Sequence, residues 1–200
     1  MRIRRNPWVL YTALLPFILL VRYSDGGIFR WAGYNILFYF ASPLLLVRLL
    51  GFKPAELGVK VGKEEGYKWA LVLFLLTIPL SLYGTTVPSM RNYYPIFEYS
   101  GWGDFFFKEL AVGVIMFSHE AFYRGIILFP LARKKEWLGI LAQDIPYALV
   151  HIGKPGIEVP YSFVAGIVFA KIDLKSGSFL PSFLLHWFGS VLFDILCVLL

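Results

Sequence analysis

Apolar residues run along this chain in long blocks, each ended by charge, glycine or proline. A block of about 20 residues is what a helix needs to cross the hydrocarbon layer of a membrane. Seven stretches stand out: Trp8 to Val21, Ile28 to Val47, Tyr67 to Thr86, Phe105 to Leu131, Trp137 to Ile152, Val159 to Ala170 and Ser178 to Leu200. The first and sixth are short for a full crossing. The pattern predicts an all-α fold, a polytopic transmembrane helical bundle of about seven spans. Met-Arg-Ile-Arg-Arg at the start resembles the basic head of a signal peptide, but no small-residue cleavage site follows and another span comes soon after. The first segment is therefore expected to be retained.

Composition agrees. The chain is 58% hydrophobic and 16% charged, against roughly 45–50% and 25% in soluble domains. Seven spans of about 20 residues use most of the 200, so chemistry is expected inside the bundle. The net charge of +6 does not indicate a nucleic-acid partner, because the basic residues lie mostly between the apolar blocks, where they act as topology signals. With the N-terminus inside, the inner segments carry Arg2, Arg4 and Arg5, then Arg48, Lys53, Lys60, Lys63 and Lys68, then Arg133, Lys134 and Lys135, then Lys171 and Lys175, a total of 13. The outer segments carry five: Arg22, Arg30, Arg91, Lys108 and Lys154. A cytoplasmic N-terminus and an external C-terminus follow from the positive-inside rule. The polar, glycine-bounded stretch Gly51 to Gly66 suggests a division into residues 1–66, two helices and a cytoplasmic linker, and residues 67–200, a five-helix bundle. The single cysteine, Cys197, excludes an intramolecular disulfide framework. The last four residues, Cys197-Val-Leu-Leu200, spell a prenylation box, but they end an apolar helix without an upstream basic cluster and are read as coincidence.

Polar residues at membrane depth are costly and are functional candidates by default. All three histidines, His119, His151 and His186, fall in or at the ends of apolar blocks, together with Glu120, Arg124 and Asp194. Glu120 and Arg124 stand at i and i+4 on one helix face, where pairing lowers the burial cost of each. His186, Ser190 and Asp194, at steps of four, share another face; Asp194, near a span end, is open to being merely solvated. A zinc-protease helix would need a second histidine four residues after His119, and position 123 is Tyr. A carboxylate with a neutral imidazole can activate water, and further hydrogen-bond donors can stabilise an oxyanion.

His119-Glu120-x-x-x-Arg124-Gly125, Tyr147-x-x-x-His151 and His186-x-x-x-Ser190 occur in that order on separate helices. This resembles the CAAX prenyl protease and bacteriocin-processing (CPBP, or Abi) family of intramembrane proteases, whose motifs are Glu-Glu-x-x-x-Arg, Phe-x-x-x-His and His-x-x-x-Asn/Asp. The resemblance covers roughly residues 104 to 194, including Gly166 to His186 leading into the third motif. His119 stands where the family has its first glutamate, the residue credited with activating water. Tyr147 replaces Phe and Ser190 replaces Asn. Glu120, Arg124, His151 and His186 carry over directly, His119 and Ser190 by position only.

The resemblance implies an endopeptidase in a prokaryotic cell membrane, without metal or organic cofactor, cutting a membrane-anchored or prenylated peptide substrate among membrane lipids. Glu120, with His119, would activate the water; His151 would bind or polarise it. His186 and Ser190 would stabilise the oxyanion, and Arg124 would hold Glu120 ionised. Two other readings stay open: a non-catalytic binding or immunity protein, given the missing first glutamate, and a metal-dependent hydrolase in which the three histidines and Glu120 hold zinc.

Overall fold

The computed structural model describes residues 4–21 and 26–200. Arg2 and Arg22 of the charge count lie outside the described residues. The fold is all-helical, and among the described residues there is no strand. The helices are α1 (Pro7–Leu20), α2 (Gly27–Leu49), α3 (Glu64–Thr85), the short α4 (Pro88–Arg91), α5 (Trp102–Ala132), α6 (Glu136–Leu149), α7 (Glu158–Ser176) and α8 (Leu180–Leu199). Apart from α4, each helix falls on one of the seven apolar blocks. Four of them, α2, α3, α5 and α8, are long and apolar enough to cross a membrane, and α1 is a shorter apolar helix.

Two boundaries differ from those the blocks predict. Helix α7, on the sixth apolar block, runs on from Ala170 to Ser176, through Lys171, Asp173 and Lys175. These charges do not stop it because each has a destination: Lys171 pairs with Glu136 over the Trp137 ring, and Lys175 pairs with Glu65 over Trp69. Asp173 turns inward and is fully buried. Gly177 ends the helix in the left-handed region, φ 73°, its N–H donating to the Asp173 carbonyl at 2.7 Å. Helix α6, on the fifth apolar block, stops at Leu149, so that His151 lies in the turn beyond it.

Helix α5 is the axis of the bundle. Its apolar window is 72% buried, against 17–28% for the other three long helices. Phe122, Tyr123, Ile126 and Ile127 pack with Leu10 and Leu14 of α1, Tyr39 and Val47 of α2 and Tyr147 of α6. Towards its start, Phe105, Val112 and Ile115 pack with Ile28 and Ala32 of α2. By contrast α3 presents Leu71, Leu75, Leu76 and Leu80 outward, an apolar surface suited to lipid.

Both α2 and α5 contain a stretch wound more widely than an α-helix, Ile36–Ala41 and Ala121–Leu128. Each includes the carbonyl four residues before a proline, Tyr39 before Pro43 and Ile126 before Pro130, the contact that a proline ring disrupts. Proline alone does not dictate this, since Pro16, Pro79 and Pro146 sit in ordinary α-turns.

The segments counted as inner gather at one end. The Arg5 N–H donates to the Leu50 carbonyl at 2.8 Å, and the Arg5 side chain pairs with Glu56. Arg133 donates to the Glu56 carbonyl at 2.7 Å, and the Lys63 N–H to the Ser176 carbonyl at 2.8 Å. At the other end Tyr94 donates to Glu158 at 2.6 Å, with Lys154 3.5 Å from the same carboxylate.

Candidate active site

Glu120 and Arg124 are both fully buried in α5, with Arg124 Nε 3.2 Å from Glu120 Oε2. The distance is that of an ion pair, but the angles are not those of a hydrogen bond, and all three guanidinium nitrogens lack a hydrogen-bond partner. The cation is held instead by charge and by rings: its central carbon stands 3.7 Å from the Tyr147 ring centroid and 5.5 Å from that of Phe169.

His186 Nδ1 lies 2.7 Å from Glu120 Oε1. A carboxylate oxygen only accepts, so Nδ1 carries the hydrogen, and in the neutral ring Nε2 keeps its lone pair. His151 is fixed the same way. Its Nδ1 is 2.8 Å from the Tyr147 carbonyl, which leaves Nε2 free. His119 differs, because among the described residues its ring nitrogens have no hydrogen-bond partner. Its ring packs against Tyr39, Tyr123 and Tyr147, with centroids 4.9, 5.7 and 6.5 Å away.

The three imidazoles surround one ring. Tyr147 has His151 at 4.9 Å, and His119 and His186 each at 6.5 Å. Residues far apart in sequence, from α5, α6 and its following turn, and α8, thus meet around the buried Tyr147. Among the described residues no three His, Cys, Asp or Glu side chains are placed to hold a metal ion. With Tyr147 among the imidazoles, the zinc set of the third reading does not fit.

Ser190 and Asp194 stand apart from this group. The Ser190 hydroxyl, one turn beyond His186, has no hydrogen-bond partner among the described residues. Asp194 is not solvated at a span end, as its position had left open. It is buried at 1% exposure against Glu109 of α5 and Tyr94, so that the i+4 series on α8 leads away from His186 into a separate polar cluster.

Three buried groups were not singled out in the sequence. Ser182 Oγ lies 3.2 Å from Glu120 Oε2 and 2.5 Å from Asp173 Oδ2, and its N–H donates to Asp173 Oδ1 at 3.1 Å. Asp144 is fully buried near Arg124. The i+4 series His186, Ser190, Asp194 extended one step back would have reached Ser182. Asp173, flanked by lysines at an apparent span end, gave no such signal.

Buried acids, an arginine and imidazoles with free nitrogens are thus gathered among helices several of which are long and apolar enough to cross a membrane. Residues 102–192 match the family model described as type II CAAX prenyl endopeptidase Rce1-like. The resemblance read from the three motifs is thereby shown for this stretch, which runs from the start of α5 through most of α8 and supports, in general terms, a CAAX protease-like intramembrane endopeptidase. No curated protein and no solved structure matches the chain.

Proposed function

We propose that the chain is an intramembrane endopeptidase that hydrolyses a peptide bond of a lipid-modified or membrane-anchored protein, using water activated by side chains. The observation that carries the reading is the Glu120 Oε1 to His186 Nδ1 contact of 2.7 Å, which fixes the ring so that Nε2 faces away from the carboxylate. Glu120 is engaged on both oxygens, by His186 on one and by Ser182 and Arg124 on the other. It therefore orients His186, and His119, in the place of the first glutamate and with unclaimed nitrogens, takes the proton from water. The water oxygen then bonds to the scissile carbonyl carbon. His151 Nε2 accepts from the water's second hydrogen, and His186, as an imidazolium on Glu120, donates its Nε2–H to the developing oxyanion, with the Ser190 hydroxyl one turn along α8 as the second donor. As the C–N bond breaks, protonated His119 returns its proton to the leaving amine.

In this reading the end that gathers Arg5, Glu56, Arg133 and Ser176 is cytoplasmic, with the N-terminus on that side. The test is cleavage of a panel of membrane-anchored and prenylated peptides by purified protein in lipid. Wild type cleaves at least one and His186→Ala none. Peptides that bind without being cut by either protein would overturn the enzymatic reading in favour of a binding role.

A further inference from the structure

Ser182 has one hydroxyl hydrogen and three acceptors within reach: Asp173 Oδ2 at 2.5 Å, the Phe179 carbonyl at 2.9 Å and Glu120 Oε2 at 3.2 Å. It can donate to only one of them. Glu120, Asp173 and Asp144 are all fully buried, and among the described residues the only arginine buried with them is Arg124. Were both carboxylates ionised, the single hydroxyl hydrogen would leave either Asp173 Oδ2 or Glu120 Oε2 facing the Ser182 oxygen without a hydrogen between them, two oxygens in close contact that a desolvated site disfavours strongly. A hydrogen on Asp173 resolves the count. Its O–H donates to Ser182 Oγ, and the Ser182 O–H is released towards Glu120 Oε2. That direction wins over the nearer Phe179 carbonyl because a hydrogen bond to a charged acceptor is about twice as strong as one to a neutral acceptor.

We propose that Asp173 is a positioning residue held as a neutral carboxylic acid, acting through Ser182 on Glu120 and through Glu120 on His186. The order of donation is Asp173 O–H to Ser182 Oγ, Ser182 O–H to Glu120 Oε2, and His186 Nδ1–H to Glu120 Oε1. Glu120 is then the single anion of the chain, and its charge is directed at His186 rather than shared with a second carboxylate. The ionisable groups facing Asp173 are Glu120 and Arg124 from α5 and Tyr67 from α3. The link to catalysis rests on the endopeptidase reading; the protonation state of Asp173 does not.

The test therefore has two parts. Infrared difference spectra of wild type against Asp173→Asn at neutral pH are expected to show loss of a protonated-carboxyl C=O band, and a loss of carboxylate bands instead would overturn the proposal. Asp144, unchanged in both proteins, cancels. In Ser182→Ala the band should remain and move to higher frequency as its acceptor is removed; an unmoved band would break the Asp173–Ser182 link. This second variant also keeps the test open if Asp173→Asn does not fold. On a cleaved substrate Asp173→Asn, whose amide N–H replaces the acid O–H, should keep activity near wild type. Ser182→Ala should lower kcat about tenfold, equivalent to ~1.4 kcal/mol, with KM little changed and the acid limb of the pH profile displaced. Loss of activity in Asp173→Asn with Ser182→Ala unaffected would overturn the relay. If wild type cleaves nothing, the endopeptidase reading fails while the spectra still decide the state of Asp173.

Discussion

The guanidinium of Arg124 stands over the ring of Tyr147, 3.7 Å from its centroid. That contact joins the helix carrying Glu120 to the turn carrying His151, since the His151 ring is anchored to the carbonyl of the same tyrosine. Arg124 thus serves two neighbours at once, the carboxylate four residues before it and the ring that the three imidazoles surround.

Removing Arg124 should be expensive for that reason. Arg124→Ala leaves Glu120 as a buried carboxylate without its cation, at a cost of roughly 3–5 kcal/mol. The double variant Arg124→Ala with Glu120→Gln, which leaves neither charge of the pair unbalanced, should cost less than the single change. Thermal unfolding of both variants in the same detergent checks the order, and an Arg124→Ala protein as stable as wild type would show that the pair contributes nothing.

His119 stands where the family pattern has its first glutamate, and in the proposed mechanism it is the general base. As general base it should be worth roughly 10²–10⁴-fold in rate, so His119→Ala should lose that much, and His119→Glu should retain cleavage by supplying a carboxylate in its place. Glu120→Gln should also impair cleavage, by releasing His186. Rates for the three variants on one substrate suffice; if all three cleave like wild type, the mechanism is wrong.

Gly166 lies where α7 crosses α5 and α6. A Cβ there would overlap Asp144 Oδ1 and come within 3.2 Å of Arg124 Nη2. Gly166→Ala should therefore destabilise by about 1–3 kcal/mol through overpacking. Most of the cost should vanish in an Asp144→Ala background, because the two sites share one space. A double-mutant cycle on unfolding temperature reads this directly.

Glu56 gives a pH-dependent signature at the end where Arg5 and Arg133 meet. The Lys53 N–H, 2.8 Å from Glu56 Oε2, and the nearby arginines hold its carboxyl below the ordinary 4.5. A folded value below the unfolded one adds stability at higher pH that is lost as pH falls through the folded value. Glu56→Gln should accordingly be less stable than wild type at neutral pH, with the gap closing below about pH 4.5. A gap that stays constant down to acid pH would contradict the assignment.

Orientation can be read with reporters fused at residues 1 and 200. Opposite sides, with the N-terminus cytoplasmic, are expected from the 13 to five division of basic residues. The same side for both would refute seven crossings.

The helical blocks were legible because hydrophobicity alone sets them, and seven of the eight helices fall where the apolar runs lie. The ends were less so. Lys171 and Lys175 look like a terminus in sequence, yet their long side chains reach Glu136 and Glu65 and let α7 continue to Gly177. Within the site, Glu120 with Arg124 could be read from i+4 spacing, and His151 and His186 from their motifs. The Asp173–Ser182–Glu120 link could not, because it joins three helices and depends on how α7 and α8 close around Gly177. Asp194 shows the reverse failure: it shares a helix face with His186, but two turns along the helix that face meets Glu109 instead.

The wide winding of Ala121–Leu128 places a change of phase immediately after Glu120. Helix α5 is in effect two helices in series, one ending at the carboxylate and the other beginning beyond Leu128. All eight residues between them are buried. Were ordinary α-winding to resume there with all eight residues kept, everything beyond would turn by about 100°. Phe129 and Leu131, both buried in the core, would swing out of their packing while Glu120 stayed in place. The extra residue held in the wide winding therefore keeps the half of α5 that carries Glu120 in phase with the half that packs near Glu56, and deleting one residue within the stretch, which lets α-winding resume, should leave both halves in their packing.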